Sequence, residues 1–332
     1  MKELCVKKND AGQRLDRFVG KAVPLLPESL LQKYIRLKRI KLNGRGAKRD
    51  TRLNEGDVLQ LYINDEFFEK PREENSYLKV GTPRLDIVYE DENILLADKK
   101  PGVLCHSAGV WDYNTLIANI QAYLAQKGEW RPREENSFAP ALCNRIDRNT
   151  GGIVILAKNA SALRQMNEAI RENRVTKRYL CAVHGRLTGE AELRAWHRKD
   201  SRANTVTVSA ERLPGSKEIV TRYRALGYDP AHDLTLCGVT LVTGRTHQIR
   251  AHMAYIGHPL LGEGKYAKNA ADRKLGYSSQ ALYSAAVSFD FPNAGEGADL
   301  TGLNGRVFRV DPANVDFLRF FPDFRFERWA DM

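Results

Sequence analysis

The turn Asn144-Arg145-Ile146-Asp147-Arg148-Asn149-Thr150-Gly151-Gly152 leads directly into the apolar run Ile153-Val154-Ile155-Leu156-Ala157. A continuous apolar run of this length, preceded by paired glycines, predicts a buried strand. At the mouth of that strand the turn presents a single carboxylate, Asp147, between two arginines. Cations on both sides favour the charged form of a carboxylate and orient it. Asp147 is therefore the candidate chemical centre.

The composition favours a soluble protein with a polyanionic partner. Of the 332 residues 42% are hydrophobic, enough for a substantial core, and the length predicts a large domain and a smaller one. Lys and Arg number 52 against 41 Asp and Glu, and the net charge of +11 points to nucleic acid before membrane. The first residues lack an apolar signal core, and no stretch approaches the ~18 apolar residues of a membrane span. We therefore expect a cytoplasmic protein.

Residues 1–65 are predicted to form a small unit of two helices and a β-hairpin. Apolar spacing predicts helices over Gly12–Val19 and Pro27–Leu37. Ile40–Gly44 alternates and ends in an Asn-Gly hairpin turn, and Leu53–Leu61 closes the unit with another strand.

This unit carries a strongly basic segment, here called the basic face. Between residues 33 and 52 there are nine basic residues against one acid, Asp50. The nine are Lys33, Arg36, Lys38, Arg39, Lys41, Arg45, Lys48, Arg49 and Arg52. Such an imbalance favours docking of nucleic-acid phosphates over a merely solvated surface. The first six are the candidate RNA contacts.

Residues 66–84 are polar and predict a linker, and residues 85–325 predict the large domain. Its predicted strands are Asn93–Asp98, Gly152–Ala157, Tyr179–Val183, Val220–Ala225 and Leu234–Val242. Its predicted helices are Asn114–Lys127, Ala160–Asn173 and His247–Ile256. Because few helices separate many strands, we predict an α+β fold with a mixed, mainly antiparallel sheet rather than a doubly wound parallel sheet.

A second polar motif is Thr243-Gly244-Arg245-Thr246-His247-Gln248-Ile249-Arg250-Ala251-His252-Met253. His247 and Arg250 lie three residues apart and share one side of the predicted helix. A cation on that side can reach Asp147 across a cleft. The less favoured alternative is a polar helix on the surface.

Metal and cofactor sites are not expected. His247 and His252 lack the spacing and the glutamate of a zinc-binding helix. Gly262-Glu263-Gly264-Lys265-Tyr266-Ala267 nominally matches a dinucleotide-binding loop but lacks its strand and helix context. The five cysteines are scattered without a C-x-x-C pair, which predicts reduced thiols rather than disulfides or a zinc site.

A third motif, Lys177-Arg178-Tyr179-Leu180-Cys181-Ala182-Val183, predicts a strand. An aromatic residue at the start of a strand usually belongs to the core. Near a cleft, the hydroxyl-bearing ring of Tyr179 can instead stack on a flipped base or relay a proton.

In this order the three motifs resemble the RluA family of pseudouridine synthases, over roughly Leu85 to Phe291. Residues Gly12 to Leu61 resemble the S-four RNA-binding module. The resemblance implies a pseudouridine synthase fold that needs no metal or cofactor, and we expect a monomer. It implies an RNA partner, with ribosomal RNA favoured over transfer RNA.

The resemblance also implies roles for individual residues. Asp147 is the expected catalytic aspartate, Arg250 its ion-pair partner, and Tyr179 the residue that contacts the uracil and transfers a proton. Arg145 is expected to help extrude the target uridine, and His247 is a further candidate RNA contact.

The favoured function is isomerisation of uridine in large-subunit ribosomal RNA. Three alternatives remain at this point: the same reaction on transfer RNA, a non-catalytic ribosome-assembly factor, and a hydrolytic base glycosylase, which also pairs a carboxylate with base flipping. Asn144 stands where many family members have His, which leaves the choice of substrate open.

Overall fold

The N-terminal residues form a small sheet with two helices, α1 (Leu15–Ala22) and α2 (Glu28–Arg36). Its strands are β1 (Lys2–Cys5), β2 (Ile40–Leu42), β3 (Arg45–Gly46) and β4 (Val58–Leu61). Their order is β1-β4-β2-β3, and all pairs are antiparallel. Apolar side chains of both helices and the sheet form one buried cluster. The two predicted helices and the hairpin are confirmed, whereas β1 was not predicted.

The computed structural model describes most of the chain. The described residues are 1–68, 76–107, 114–132, 134–200, 203, 205–268, 270–291, 300–326 and 329. No helix in these ranges is both long and apolar enough to cross a membrane.

A second, larger sheet occupies most of the remaining chain. Its strands are β5 (Ile87–Glu90), β6 (Ile94–Lys99), β7 (Ala141–Leu142), β8 (Gly151–Ala157), β9 (Val175–His184), β10 (Glu190–Asp200), β11 (Thr205–Ser209), β12 (Lys217–Asp229), β13 (Leu234–Leu241), β14 (Leu282–Phe289) and β15 (Val307–Arg309). The main order is β11-β10-β12-β13-β9-β14-β8-β6-β5, with β7 beside β8 and β15 beside β14. Among the described strands, β8 and β14 form the only parallel pair.

The helices of this part are α3 (Leu116–Gln126), α4 (Ala160–Arg171) and α5 (Gln248–Tyr255). Short 3-10 helices lie at Asp65–Phe68, Ser76–Lys79, Asp272–Leu275, Thr301–Leu303, Pro312–Asn314 and Asp316–Phe320. The predicted α+β fold with a mixed, mainly antiparallel sheet is confirmed.

Strand β8 is buried on both faces, as its apolar run predicts. Ile153 and Ile155 belong to a cluster that also contains Met166 of α4. Val154 and Leu156 belong to a second cluster, with α3. Each such side chain contributes about 1.5–3 kcal/mol by leaving water, so β8 anchors the turn that precedes it.

The glycines at the mouth of β8 allow its backbone to approach β14 very closely. Gly152 has a φ of +113°, and a Cβ built there would lie 2.2 Å from the carbonyl oxygen of Ser284. A Cβ on Gly151 would lie 2.2 Å from the Tyr283 ring. A larger residue at Gly152 would therefore displace the backbone of β14, and one at Gly151 would displace the Tyr283 ring.

Polar side chains of residues 9 and 10 join the N-terminal unit to residues 135–137. This set of hydrogen bonds is called the docking contact. Asp10 is 0% exposed and accepts hydrogen bonds from Ser137 Oγ at 2.6 Å and Asn136 Nδ2 at 2.7 Å. Asn9 Nδ2 donates to Glu135 Oε1 at 2.9 Å. A buried carboxylate needs such donors, so the contact fixes how the two sheets face each other.

The predicted linker, residues 66–84, lies partly outside the described residues, at 69–75. Tyr77, within a 3-10 helix of that segment, packs edge-on against Trp130 with ring centroids 5.1 Å apart. The five cysteines are unpaired in the structure, and Cys105, Cys181 and Cys237 are buried.

Candidate active site

Backbone and side-chain hydrogen bonds hold the Asp147 turn. Asn144 Oδ1 accepts the backbone N–H of Ile155 at 2.8 Å, so this side chain joins the turn to β8. The N–H of Thr150 donates to the carbonyl of Asp147 at 3.1 Å, which closes a tight turn. The turn is therefore positioned by the strand that follows it.

Lys99, at the end of β6, fastens the turn from the other side. Its ammonium group donates to the carbonyl oxygens of Lys100, Val103 and Arg148 at 3.0, 2.8 and 2.9 Å. Lys99 is 1% exposed, and this burial lowers its pKa to about 8. Three carbonyl acceptors compensate for its lost hydration.

Gln248 pins the start of α5 to strand β12. Its Oε1 accepts from the Thr243 hydroxyl and the Arg245 N–H at 2.9 and 3.0 Å. Its Nε2 donates to the Val220 carbonyl and the Thr221 hydroxyl at 3.1 and 3.0 Å. With its amide satisfied and only 2% exposed, Gln248 holds the first turn of α5 in place.

From that turn Arg250 reaches Asp147. Arg250 Nη1 donates to Asp147 Oδ2 at 3.1 Å, while Nε and Nη2 donate to the two oxygens of Glu263 at 2.7 and 2.9 Å. Burial opposes the charge of Arg250, but hydrogen bonds and charges of both carboxylates raise its pKa. Burial likewise opposes ionisation of Glu263, yet Arg250 lowers the Glu263 pKa on balance. Arg250 and Glu263 are thus both charged at neutral pH.

His247 and Tyr266 flank the same carboxylate. His247 Nε2 lies 3.9 Å from Asp147 Oδ2, and His247 Nδ1 lies 2.7 Å from the Tyr266 hydroxyl. Burial lowers the His247 pKa, which leaves the ring neutral at pH 7 although Asp147 opposes the shift. When the Tyr266 hydroxyl donates to Nδ1, the ring proton lies on Nε2, which faces Asp147.

Tyr179 lies in β9, paired with Ser284 of β14 next to the mouth of β8. It is 6% exposed, and burial raises its pKa to about 12, with a smaller contribution from the charge of Asp147. The phenol therefore keeps its proton at neutral pH and is available to donate one.

The predicted residues thus fall into two groups. Asp147 and Arg250 are in contact, His247 and Tyr179 lie in the same region, and Arg145 is exposed on the turn. The basic face lies on the N-terminal unit, from the end of α2 through the β2–β3 hairpin to the residues that follow it, and all of its members except the half-buried Lys41 are exposed. Their roles stay predictions.

Glu263 was not predicted as part of the site. The sequence offers one indication, an acid placed directly after Gly262 in a loop next to α5. The described residues contain no group of three His, Cys, Asp or Glu arranged to hold a metal ion.

Comparison with known proteins identifies the family. A family model described as RNA pseudouridylate synthase matches residues 93–255, which include Asp147, Tyr179 and Arg250. An uncharacterized RNA pseudouridine synthase of Mycoplasma genitalium is 33% identical over 287 residues, which cover 86% of this chain and 88% of that protein. The chain belongs to the RNA pseudouridine synthase family.

Further RNA pseudouridine synthases match over similar lengths. Ribosomal large subunit pseudouridine synthase C of Vibrio cholerae is 31% identical, over 86% of this chain and 88% of that protein. The Escherichia coli protein of the same name is 29% identical, over 89% and 91%. The solved structure of human RNA Pseudouridylate Synthase Domain Containing 1 has a TM-score of 0.52 at 21% identity, over 72% of this chain and 96% of that chain, which shows a common fold.

The chain is therefore an RNA pseudouridine synthase, as predicted. A non-catalytic assembly factor and a hydrolytic glycosylase are not favoured by these comparisons. The reaction breaks the N1–C1′ bond of uridine, turns the uracil and joins C5 to C1′; the C5 proton leaves, and N1 gains one. The products contain the same atoms as the substrate, so no net oxidation or hydrolysis occurs.

Proposed function

We propose that this enzyme isomerises uridine in large-subunit ribosomal RNA. The observation that carries the proposal is the match to ribosomal large subunit pseudouridine synthases C of two bacteria over nearly 90% of both chains. The matched stretch is longer than the part of the chain that forms the large sheet, so it includes residues outside that sheet. The exposed basic face supplies the positive charge that a folded RNA attracts.

We propose that Asp147 is the reacting group and Arg250 its ion-pair partner. A side chain that is 28% exposed can meet the sugar of a bound nucleotide, and the 3.1 Å contact with Arg250 orients the carboxylate. Tyr179 lies beside the turn as a protonated phenol, suited to contact the turned uracil and to donate a proton to it. Arg145 is exposed and long enough to fill the space that an extruded base leaves, and His247 contacts the RNA next to Asp147.

We further propose that residues 1–65 are an S-four-type RNA-binding domain, followed by a linker at 66–84 and a catalytic domain at 85–325. The separate sheet and apolar cluster of the first 65 residues support this division. The enzyme is proposed to work in the cytoplasm as a monomer, without metal or cofactor.

A deletion strain tests the choice of RNA. Pseudouridine mapping of ribosomal and transfer RNA, with and without a plasmid copy of the gene, should reveal at least one large-subunit position that loses pseudouridine and regains it. Loss confined to transfer RNA would overturn the ribosomal assignment and leave the activity itself standing.

Neutralising the basic face should weaken RNA binding at low salt. The variant Lys38→Gln/Arg39→Gln/Lys41→Gln removes three charges next to the β2–β3 hairpin. Each phosphate contact that is lost reduces the magnitude of the slope of log K against log salt by about 0.7–0.9, so the loss of three contacts should reduce it by about 2–3. Filter binding across a salt series measures it.

The matched control removes three exposed charges outside this face, in Lys8→Gln/Arg171→Gln/Lys274→Gln. It should keep a slope close to that of the wild type. Equal slopes for both triple variants would remove the docking role of the basic face.

A further inference from the structure

Arg250 is shared between two carboxylates in an unequal way. Glu263 takes the Nε and Nη2 edge of the guanidinium in a two-point contact, at 2.7 and 2.9 Å. Asp147 is left with Nη1 alone, at 3.1 Å. A two-point contact fixes the plane of a guanidinium, whereas a single hydrogen bond does not. The direction of Nη1 is therefore set by Glu263 rather than by Asp147.

Glu263 is itself held rigidly. It is 0% exposed, and its Oε1 also accepts the backbone N–H groups of Lys265 and Tyr266 at 2.8 and 3.3 Å. The preceding Gly262 has a φ of +78°, and its N–H donates to Asp272 Oδ2 at 2.7 Å. A Cβ on Gly262 would lie 2.1 Å from the Ser279 carbonyl oxygen. The loop therefore has little freedom to move Glu263 away from Arg250.

Occupation of the Nε and Nη2 edge has a consequence for Asp147. A free guanidinium prefers to grip a carboxylate with two parallel N–H groups, which would engage both oxygens of Asp147. With that edge taken, Arg250 contacts Oδ2 only, and His247 approaches the same oxygen. Among the described residues no hydrogen-bond partner is present at Oδ1. The three charges also sum to one negative charge, so the cation does not neutralise the pair of carboxylates.

We propose that Glu263 is a positioning residue for the isomerisation: it holds Arg250 so that Asp147 is oriented through one oxygen and keeps the other for the sugar. This inference rests on the proposed role of Asp147 as the reacting group. The competing explanation is that Glu263 only compensates a buried arginine and so affects folding alone.

The test compares Glu263→Gln with the wild type on total RNA that carries unmodified target sites, taken from a deletion strain. The glutamine keeps the size of the side chain but offers N–H groups to Arg250 and removes the charge. A mispositioned Arg250 should lower the single-turnover rate on the order of 10–100-fold, while the Kd for RNA changes by less than about twofold. A normal rate, or a rise in Kd that accounts for the whole loss, would overturn the proposal.

The control Glu90→Gln removes a paired carboxylate in β5, at the far edge of the same sheet. It should lower the Tm without changing the single-turnover rate. A rate that falls in step with Tm in both variants would assign Glu263 a structural role only. Because total RNA contains every candidate substrate, failure of the ribosomal assignment would leave the wild-type rate measurable.

A second comparison does not require the Glu263→Gln variant to fold. If Glu263 acts through Arg250, Arg250→Gln/Glu263→Gln should have the same single-turnover rate as Arg250→Gln, since residues that act as a unit are not additive. A further loss in the double variant would contradict action through Arg250.

Discussion

Asp147→Asn is expected to reduce pseudouridine formation by about 10⁴-fold or more, the scale seen when a reacting group is removed. The amide has nearly the same shape but carries no charge with which to attack the sugar or accept a proton from it. Since Asp147 is 28% exposed and Arg250 keeps its two hydrogen bonds to Glu263, the fold should survive. Pseudouridine mapping after incubation with RNA from a deletion strain measures the activity.

The matched control is Asp323→Asn, which removes one exposed carboxylate far along the chain. Its activity should equal that of the wild type. RNA binding by Asp147→Asn should also stay within about twofold, which separates chemistry from docking. Undiminished modification by Asp147→Asn would refute the assignment of Asp147 as the reacting group.

Gly152→Ala is expected to destabilise the protein by about 4 kcal/mol or more, at the severe end for single substitutions. Two costs add at this position. The φ of +113° is poorly tolerated by any residue with a Cβ, and the new methyl group would lie 2.2 Å from the Ser284 carbonyl oxygen and 2.5 Å from its nitrogen. Both clashing atoms are backbone in β14, so relief requires the sheet to open. Urea unfolding of the purified protein, or loss of soluble expression, reports the effect.

Gly305→Ala separates these two costs. Gly305 also has a positive φ, +69°, but nothing lies within 4 Å of a Cβ built there. Gly305→Ala should therefore reduce the free energy of unfolding by only about 1–2 kcal/mol, the cost of the left-handed backbone conformation. Similar losses in both variants would mean that the close approach of β8 to β14 contributes little.

The elements that sequence predicts well are those whose burial shows in their composition. Strand β8 is an unbroken apolar run, and both of its faces are covered. Strand β14 is buried almost throughout, yet it was not predicted because alanine and serine, which have low strand propensity, fill its middle. Strand β10 was missed for the opposite reason: it is rich in charged residues, and Glu192 pairs across strands with Arg222 at 2.7 Å.

The site follows the same pattern. Asp147 and Arg250 could be singled out because each lies in a motif with an unusual charge distribution, and the family resemblance paired them. The structure places the two side chains 3.1 Å apart, while their roles stay predictions. Glu263 could not be singled out from the sequence. Its contact with Arg250 depends on the tight turn at Gly262 and on burial, and one acidic residue in a sequence shows neither. His247 was expected to contact RNA; its 3.9 Å approach to Asp147 depends on a left-handed backbone, φ 51°, that periodicity does not predict.

The docking contact limits how the N-terminal unit of this enzyme can be transferred to another protein. Asp10 and Asn9 come from the N-terminal unit, while Glu135, Asn136 and Ser137 come from the loop before β7. Transplanting residues 1–65 alone onto a foreign scaffold would remove the Asn136 and Ser137 donors of Asp10, although the Lys7 N–H would remain. Where the scaffold covers this carboxylate, the lost hydrogen bonds cost about 1–3 kcal/mol or more. A working chimera must move residues 134–137 together with the N-terminal unit. The exchangeable module of this enzyme is thus two segments far apart in the gene, and recombination at a single crossover separates them.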